Sequence, residues 1–498
     1  MDVKRKSGIL LHISSLPSLH GIGDFGEEAY RFIDQVADNG FGIWQILPLG
    51  PVGPGNSPYQ AYSAYAGEPL FISLSELVNW GLLEENDLKD IPLLHTSKVD
   101  YKKVRKVKFP LLQKAWFNFQ NRADIAFQLE FQHFQNEHNW WLSDYALYKV
   151  CQIKFEGEPW NKWDKGLALR DSKAIEIATN LYAEDIQFEK FIQFLFFRQW
   201  FRLKEYANSR SIQIFGDLPL YVSHDSADVW GNQHLFLLNE EGEPSVMGGV
   251  PPDYFSEDGQ LWGNPVFNWE RLKATGYHWW ISRLYFNFHM FNLVRIDHFR
   301  GLESFWAVSK GAQTAREGEW KQAYGQEMLA ILHQRFGRLP VIAEDLGIIT
   351  PEVENLRDEF NLPGMKVLQF AYMSDETNVH LPHNFKGVNV VYTGTHDNNT
   401  LQGWLANLTT EEEVRLKDYF TDVKPELANK LIELTWASTA ELAIVPMQDI
   451  IGVDGDGRMN VPGTATGNWT WRYKSNMLKT KHLNFFKKLN TIYNRNNG

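Results

Sequence analysis

The chain has 498 residues, 44% of them hydrophobic, enough for a large core and within the size range of an α/β barrel with insertions. A formal net charge of -12 excludes the basic face that phosphate binding needs, so no nucleic-acid partner is expected. Cys151 is the single cysteine, which rules out an intrachain disulfide or a cysteine metal cluster and points to a reducing, cytoplasmic setting.

The apolar run Ile9 to Leu11 is too short for a secretory core, and no stretch approaches the roughly 18 apolar residues of a membrane span. Residues 8–13 suit a buried parallel strand. Asp24, with Glu27 three positions on, reads as a capping-box start for a helix. In it Phe25, Ala29, Phe32, Ile33 and Val36 recur at helical spacing up to Gly40. Ile43 to Leu47 gives the second strand of a strand-helix-strand unit. Gly21, Gly23 and Gly26 match the G-x-G-x-x-G pattern at the same helix start. They come several residues after the strand, and the next strand ends in Leu47-Pro48-Leu49 without the ribose-binding acid, so no nucleotide cofactor is expected.

Roughly 160 residues then separate the second strand from the third, Ile212 to Phe215, far more than a βα connection needs. Aromatic stripes at helical spacing (Phe127, Phe131 and Phe134, then Trp141, Tyr145 and Tyr148) predict an inserted, mainly helical subdomain over residues 71–200, ending in the helix that leads to the third strand. Residues 221–269, dense in Gly, Pro and aromatic side chains, are expected to form an inserted active-site loop region. Leu293–Asp297 is the fourth strand, Glu319–Phe336 a helix, and Val341–Glu344 the fifth strand. A helix over Pro351–Phe360, capped by Thr350, follows. Met365–Phe370, Val388–Tyr392 and Ala443–Met447 complete eight strands alternating with helices. The expectation is one catalytic (β/α)8 TIM barrel spanning 1–498, with the helical and loop insertions on its C-terminal rim.

In such a barrel the strand ends meet at one mouth. Asp217, Asp297 and Glu344 close strands three, four and five, and Asp397 follows strand seven in Gly394-Thr395-His396-Asp397-Asn398. Arg295, two residues before Asp297, shares its face of the strand and is expected to keep that carboxyl ionised and its pKa low. Adjacent strands lie about 4.8 Å apart. Acids at the tips of strands four and five therefore suit a retaining glycosidase pair, whose carboxyls stand about 5 to 5.5 Å apart. Asp297 would be the nucleophile, Glu344 the acid/base, and Asp397 and His396 would hold sugar hydroxyls. Spacing leaves Asp345 open as the working acid. A divalent metal site is the other reading of such a cluster, and Arg295 counts against it. No metal or other cofactor is expected.

At these residues the chain resembles the amylomaltase or disproportionating-enzyme family, the 4-α-glucanotransferases, relatives of the α-amylases. The resemblance runs from Leu11-His12-Ile13-Ser14-Ser15-Leu16-Pro17 to Asn460-Val461-Pro462-Gly463-Thr464. Its most specific pieces are Arg295-Ile296-Asp297-His298-Phe299-Arg300-Gly301, Ala343-Glu344-Asp345-Leu346-Gly347 and the tract Gln260-Leu261-Trp262-Gly263-Asn264-Pro265. It implies Asp297 as nucleophile, Glu344 rather than Asp345 as acid/base, and Asp397 as a third carboxylate holding substrate. It also implies sugar contacts from Ser57, Tyr59, Asp217, Trp262, Arg295, His396 and Asn460, with α-1,4-glucans as the partners. Phe267 departs from the tyrosine that the family pattern leads one to expect. A hydrolase on the same barrel and a non-catalytic glucan-binding protein are the rival readings. The loop around Tyr254, Phe255 and Trp262 is expected to exclude water from the site.

Overall fold

The computed structural model describes residues 5–89, 91, 92, 94, 97–252, 257–420 and 426–496. Tyr254 and Phe255, expected in the water-excluding loop, lie outside the described residues.

Eight parallel strands form the central sheet: β1 (Lys6–Leu10), β2 (Ile43–Gln45), β3 (Gln213–Leu218), β4 (Leu293–Ile296), β5 (Val341–Ala343), β6 (Gly364–Val367), β7 (Asn389–Tyr392) and β8 (Leu442–Pro446). Their spatial order follows the chain order, with β8 paired to β1, so the sheet curls into a barrel. The remaining joint, β5 to β6, is narrower than the rest. Among the described residues one backbone hydrogen bond spans it, Ala343 N–H to Pro363 C=O at 2.8 Å. Beside it the Met365 N–H donates to the Asp345 carboxylate at 2.6 Å.

The strands are rich in β-branched residues, and β4, β5, β7 and β8 are buried along their whole length, as expected of a parallel sheet covered on the outside by helices. The first covering helix, Glu27–Asp38, turns Ala29, Phe32, Ile33 and Val36 inward. Its cap corrects the sequence reading. Gly26 holds the capping position, while Asp24 lies outside the helix, accepts from the Gly26 N–H at 3.0 Å, and is buried against Lys108 at 3.5 Å.

Between β2 and β3 the chain is helical, with long helices over Tyr101–Arg122, Ile125–Lys154 and Ala183–Ser209. The last continues past residue 200, packs on the first covering helix, and runs almost directly into β3. It ends the long connection between β2 and β3 and serves as the crossover helix that a parallel connection requires.

The tract 221–269 is less irregular than its composition suggests. Val246–Val250 and Gln260–Pro265 are strands of a second, antiparallel sheet, completed by Ser304–Ser309 and Gly318–Gln322. Glu319–Gln322 is therefore strand, not helix, and the helix expected there begins at Gly325. The fourth and fifth barrel strands stop one residue earlier than expected at the rim, whereas β3 runs on to Leu218, three residues past its expected end. β4 ends at Ile296 and β5 at Ala343, which leaves Asp297 and Glu344 as the first residues beyond the sheet.

Candidate active site

Register decides which side chains meet. Asp217 pairs with Arg295 across β3 and β4, and Ile296 pairs with Ala343 across β4 and β5, so Asp297 and Glu344 leave neighbouring strand tips side by side. Three bonds tie these tips together. The Glu344 N–H donates to Ile296 C=O at 3.1 Å, the Phe299 N–H donates to Glu344 C=O at 3.1 Å, and the His298 N–H donates to the Glu344 carboxylate at 2.6 Å. The last depends on an unusual backbone. His298 has φ 53°, a left-handed conformation costly for a residue with a Cβ, and the sharp turn follows directly after Asp297.

Arg295 is the hub of the floor. Its Nε and Nη2 grip Asp217 at 3.0 and 2.7 Å, and Nη2 also reaches the Tyr59 hydroxyl at 3.0 Å and Asp297 at 2.9 Å. Tyr59 donates its own proton to Asp217 at 2.6 Å. Tyr59 stands on the turn that passes through Gly55 and Asn56, both at positive φ. In that turn Ser57 Oγ accepts from the Tyr59 N–H at 3.3 Å, so Ser57 shapes the turn that carries the ring.

Asp397 arrives from the loop after β7. Its carboxylate accepts from Asn460 Nδ2 at 2.6 Å and lies 3.4 Å from His396 Nε2. The His396 ring stacks on Tyr59, with centroids 5.1 Å apart and planes at 17°. Burial pushes the His396 pKa down, which favours the neutral imidazole as a hydrogen-bonding group. Trp262, on the strand Gln260–Pro265, meets His298 edge to face at 4.8 Å and donates to Gln260 at 3.1 Å.

The structure thus gathers Tyr59, Asp217, Arg295 and Asp297 into one network, with Asp397, His396 and Asn460 on one side and Glu344 and Trp262 on the other. It separates Glu344 from Asp345. Glu344 accepts from two backbone N–H groups, of His298 and of Leu346 (2.9 Å), and burial is the largest cause of its pKa rising to about 7. Asp345 turns away to the Met365 N–H and the Arg357 guanidinium.

One electrostatic expectation is overturned. Arg295 was expected to hold the Asp297 carboxyl low, but that carboxyl is pushed well above the usual range, first by burial and then by the charges of Asp217, Glu344 and Asp397, against the pull of Arg295. The guanidinium is shared among three partners and so cannot offset all of these.

Several contributors carried no sequence signal. Arg458 donates to the backbone carbonyls of Asp397 (2.6 Å) and Asn460 (2.7 Å), fixing one loop to the other. Trp469 leans on both Tyr59 and His396 at 5.8 Å. His298 is half-buried, its pKa driven down to about 3 mainly by desolvation of the imidazole, and its buried Nε2 has no hydrogen-bond partner among the described residues. Its place in the motif was visible, but its backbone strain was not. Phe267 packs in a buried aromatic cluster with Phe236, Trp279 and Trp280, where a phenol would have to find a partner. Among the described residues no group of His, Cys, Asp or Glu is placed to hold a metal ion, and no helix is long and apolar enough to cross a membrane.

A parallel barrel with carboxyls on consecutive strand tips and an arginine beneath them defines a class of carbohydrate-active barrels. Residues 11–479 match the family described as 4-alpha-glucanotransferase. The 4-alpha-glucanotransferase of Synechocystis sp. is 50% identical over 98% of each chain, and that of Aquifex aeolicus 45% identical over 99% of each. The amylomaltase from Streptococcus agalactiae, solved in complex with acarbose, superposes with a TM-score of 0.96 at 37% identity, over 99% of this chain and 100% of that one. The chain belongs to the 4-alpha-glucanotransferase family.

Proposed function

We propose that this protein cuts an α-1,4-glucan, holds one fragment covalently on Asp297, and passes it to the 4-hydroxyl of a second glucan with retention at the anomeric carbon. The observation that carries this reading is the β4/β5 register, which sets Asp297 beside Glu344 and lets the His298 amide bond to the Glu344 carboxylate. Acids on adjacent strand tips fit the short separation of a retaining pair better than the 6.5 Å or more of an inverting one.

In the first step an Asp297 oxygen attacks the anomeric carbon while Glu344 gives its proton to the departing glycosidic oxygen. An ester to the enzyme forms and the old glycosidic bond breaks. In the second step the Glu344 carboxylate takes the proton of the acceptor hydroxyl, whose oxygen displaces Asp297. Burial raises both carboxyls, which favours one proton shared by the pair. The reaction needs that proton on Glu344 and Asp297 ionised, and the N–H that Arg295 donates to Asp297 favours this arrangement. Asp397, fixed by Asn460, and His396 are assigned to hydroxyls of the sugar under attack, with Tyr59, Asp217, Arg295 and Ser57 around it. Trp262 forms the wall on the acceptor side. The named activity of the relatives and the acarbose bound to the S. agalactiae enzyme support an α-glucan substrate.

One catalytic unit is proposed to span the chain, with residues 71–200 and 221–269 as insertions on its rim. A cytoplasmic setting fits the lone Cys151, which is buried. Incubation with maltotriose tests the reading. Glucose and longer maltooligosaccharides should appear together while reducing ends stay constant, and a steady rise of reducing ends without longer products would identify a hydrolase instead. Asp297→Asn should abolish turnover and leave maltooligosaccharide binding measurable, and retained turnover would reject the assignment.

A further inference from the structure

The turn that follows Asp297 grips the loop of the proposed acid/base with three residues in a row. The His298 N–H donates to the Glu344 carboxylate, the Phe299 N–H donates to Glu344 C=O, and the Arg300 guanidinium donates to Ile348 C=O. The third bond is the unusual one. Arg300 is buried, and burial depresses its pKa against the pull of Glu303. No carboxylate among the described residues forms an ion pair with it, and Glu303 accepts instead from the Ser304 hydroxyl at 2.5 Å. A buried cation set on a main-chain oxygen gives up hydration without gaining a counter-charge, which calls for a reason.

The loop it holds supplies one. From Leu346 to Ile349 the chain is neither helix nor strand, and among the described residues it makes two hydrogen bonds: the Leu346 N–H to the Glu344 carboxylate at 2.9 Å, and the one from Arg300 to Ile348. Upstream, Asp345 is fixed to the Met365 N–H and to Arg357. Downstream, the chain turns at Gly347 (φ 86°), where it and Ile348 are exposed. The Leu346 amide therefore lies between two anchors, and Arg300 is the one beyond it. That amide, the His298 amide and Arg295 favour ionised Glu344, against burial and the charges of Asp345 and Asp297.

Arg300 is itself held from the antiparallel sheet. Its guanidinium lies 3.7 Å from the centre of the Trp320 ring, and Trp306 packs on Trp320 at 5.1 Å. Trp320 is on one edge strand of that sheet, and Trp262, which meets His298, is on the opposite edge strand. Both edges thus bear on one turn. Stacking on an indole fixes the plane and direction of a guanidinium, which an ammonium cannot reproduce.

We infer that Arg300 is a positioning residue for Glu344: stacked on Trp320, it holds Ile348 and so keeps the Leu346 amide on the Glu344 carboxylate. Its effect on rate rests on the acid/base role of Glu344 proposed above, and its effect on the carboxyl does not. A residue that merely fastened a surface loop would change stability and leave the Glu344 carboxyl alone.

The test titrates that carboxyl directly, by carbon NMR of the full chain labelled at its glutamate carboxyls, with the resonance assigned from its loss in Glu344→Gln. Losing the Leu346 amide removes a bond to the ionised form, so Arg300→Ala should raise the Glu344 pKa by about half a pH unit or more. The alkaline fall of kcat on maltotriose should move up by the same amount, and kcat at its optimum should drop about tenfold as the carboxyl loosens. Trp320 is 39% exposed, and Trp320→Ala should shift both in the same direction by less. Arg300→Lys keeps a donor for Ile348 without the stack and should bring the pKa part of the way back to the parent value. An unmoved Glu344 pKa in folded Arg300→Ala, or in Trp320→Ala where the first does not fold, would overturn the positioning role whatever happens to the thermal midpoint. A Glu344→Gln protein that keeps its rate and its alkaline limb would fail the acid/base reading instead, and the titration would still decide the role of Arg300.

Discussion

The two walls of the cleft are built on different terms. On the side of β3, β4 and β7 the groups satisfy one another: Tyr59, Asp217, Arg295 and Asp297 share a closed set of hydrogen bonds, and Asn460 and His396 flank Asp397. On the side of β5, Glu344 relies on two backbone amides, one supplied by a left-handed His298 whose ring nitrogen has no partner among the described residues. A network whose members fix one another costs little reorganisation during the reaction. That suits the wall that holds one sugar through both half-reactions. Under the proposed mechanism the looser wall is where the proton moves and where one chain leaves before another enters.

Substitution at the neighbours Glu344 and Asp345 should break this contrast most sharply. Glu344→Gln is expected to lower kcat on maltotriose by about 10² to 10⁴, the usual worth of a positioned general acid. Asp345→Ala should keep kcat of the folded protein within about threefold. It strands the Met365 amide and Arg357, at a cost of about 2–4 kcal/mol read as a fall in thermal midpoint. Equal losses of kcat would show that the two carboxyls had been distinguished wrongly.

Arg295→Lys comes next. A single ammonium cannot span Asp217, Tyr59 and Asp297 at once, so kcat/KM should fall about 10²-fold with the fold intact by circular dichroism. Acidity gives a smaller and graded effect. With its pKa near 7, Glu344 is protonated below that value and loses the proton above it, so kcat should fall about tenfold per pH unit on the alkaline side. A rate that stays level to pH 9 would remove the role assigned to burial. The smallest change is expected from Asn460→Ala, which frees one oxygen of Asp397. A rise of about fivefold in KM for maltotriose, with kcat little altered, would mark it as a holding residue.

Much of the barrel was legible because its strands are apolar, short and separated by helices of the right period. The alternation Val294-Arg295-Ile296-Asp297 shows in the sequence which side chains face the floor. The antiparallel sheet was missed for a physical reason. Val246–Val250 contains two glycines and Gly318–Gln322 is mostly exposed, so neither shows a burial period, and both depend on partners distant in sequence. The direction of the Asp297 pKa shift was misjudged because spacing reveals one neighbour, Arg295, and conceals both its burial and the three carboxylates brought in from other strands. Arg458 was invisible for a similar reason, since its bonds are to main-chain oxygens and not to any side-chain pattern.

The narrow joint between β5 and β6 has a further consequence. The proposed proton donor sits on the stave beside the thinnest glue of the cask, fastened there by one amide and by the carboxylate of its own neighbour. Warming should loosen that stave before the others. The Met365 amide would then exchange its hydrogen early, and catalytic output would decline while the rest of the cylinder was still closed.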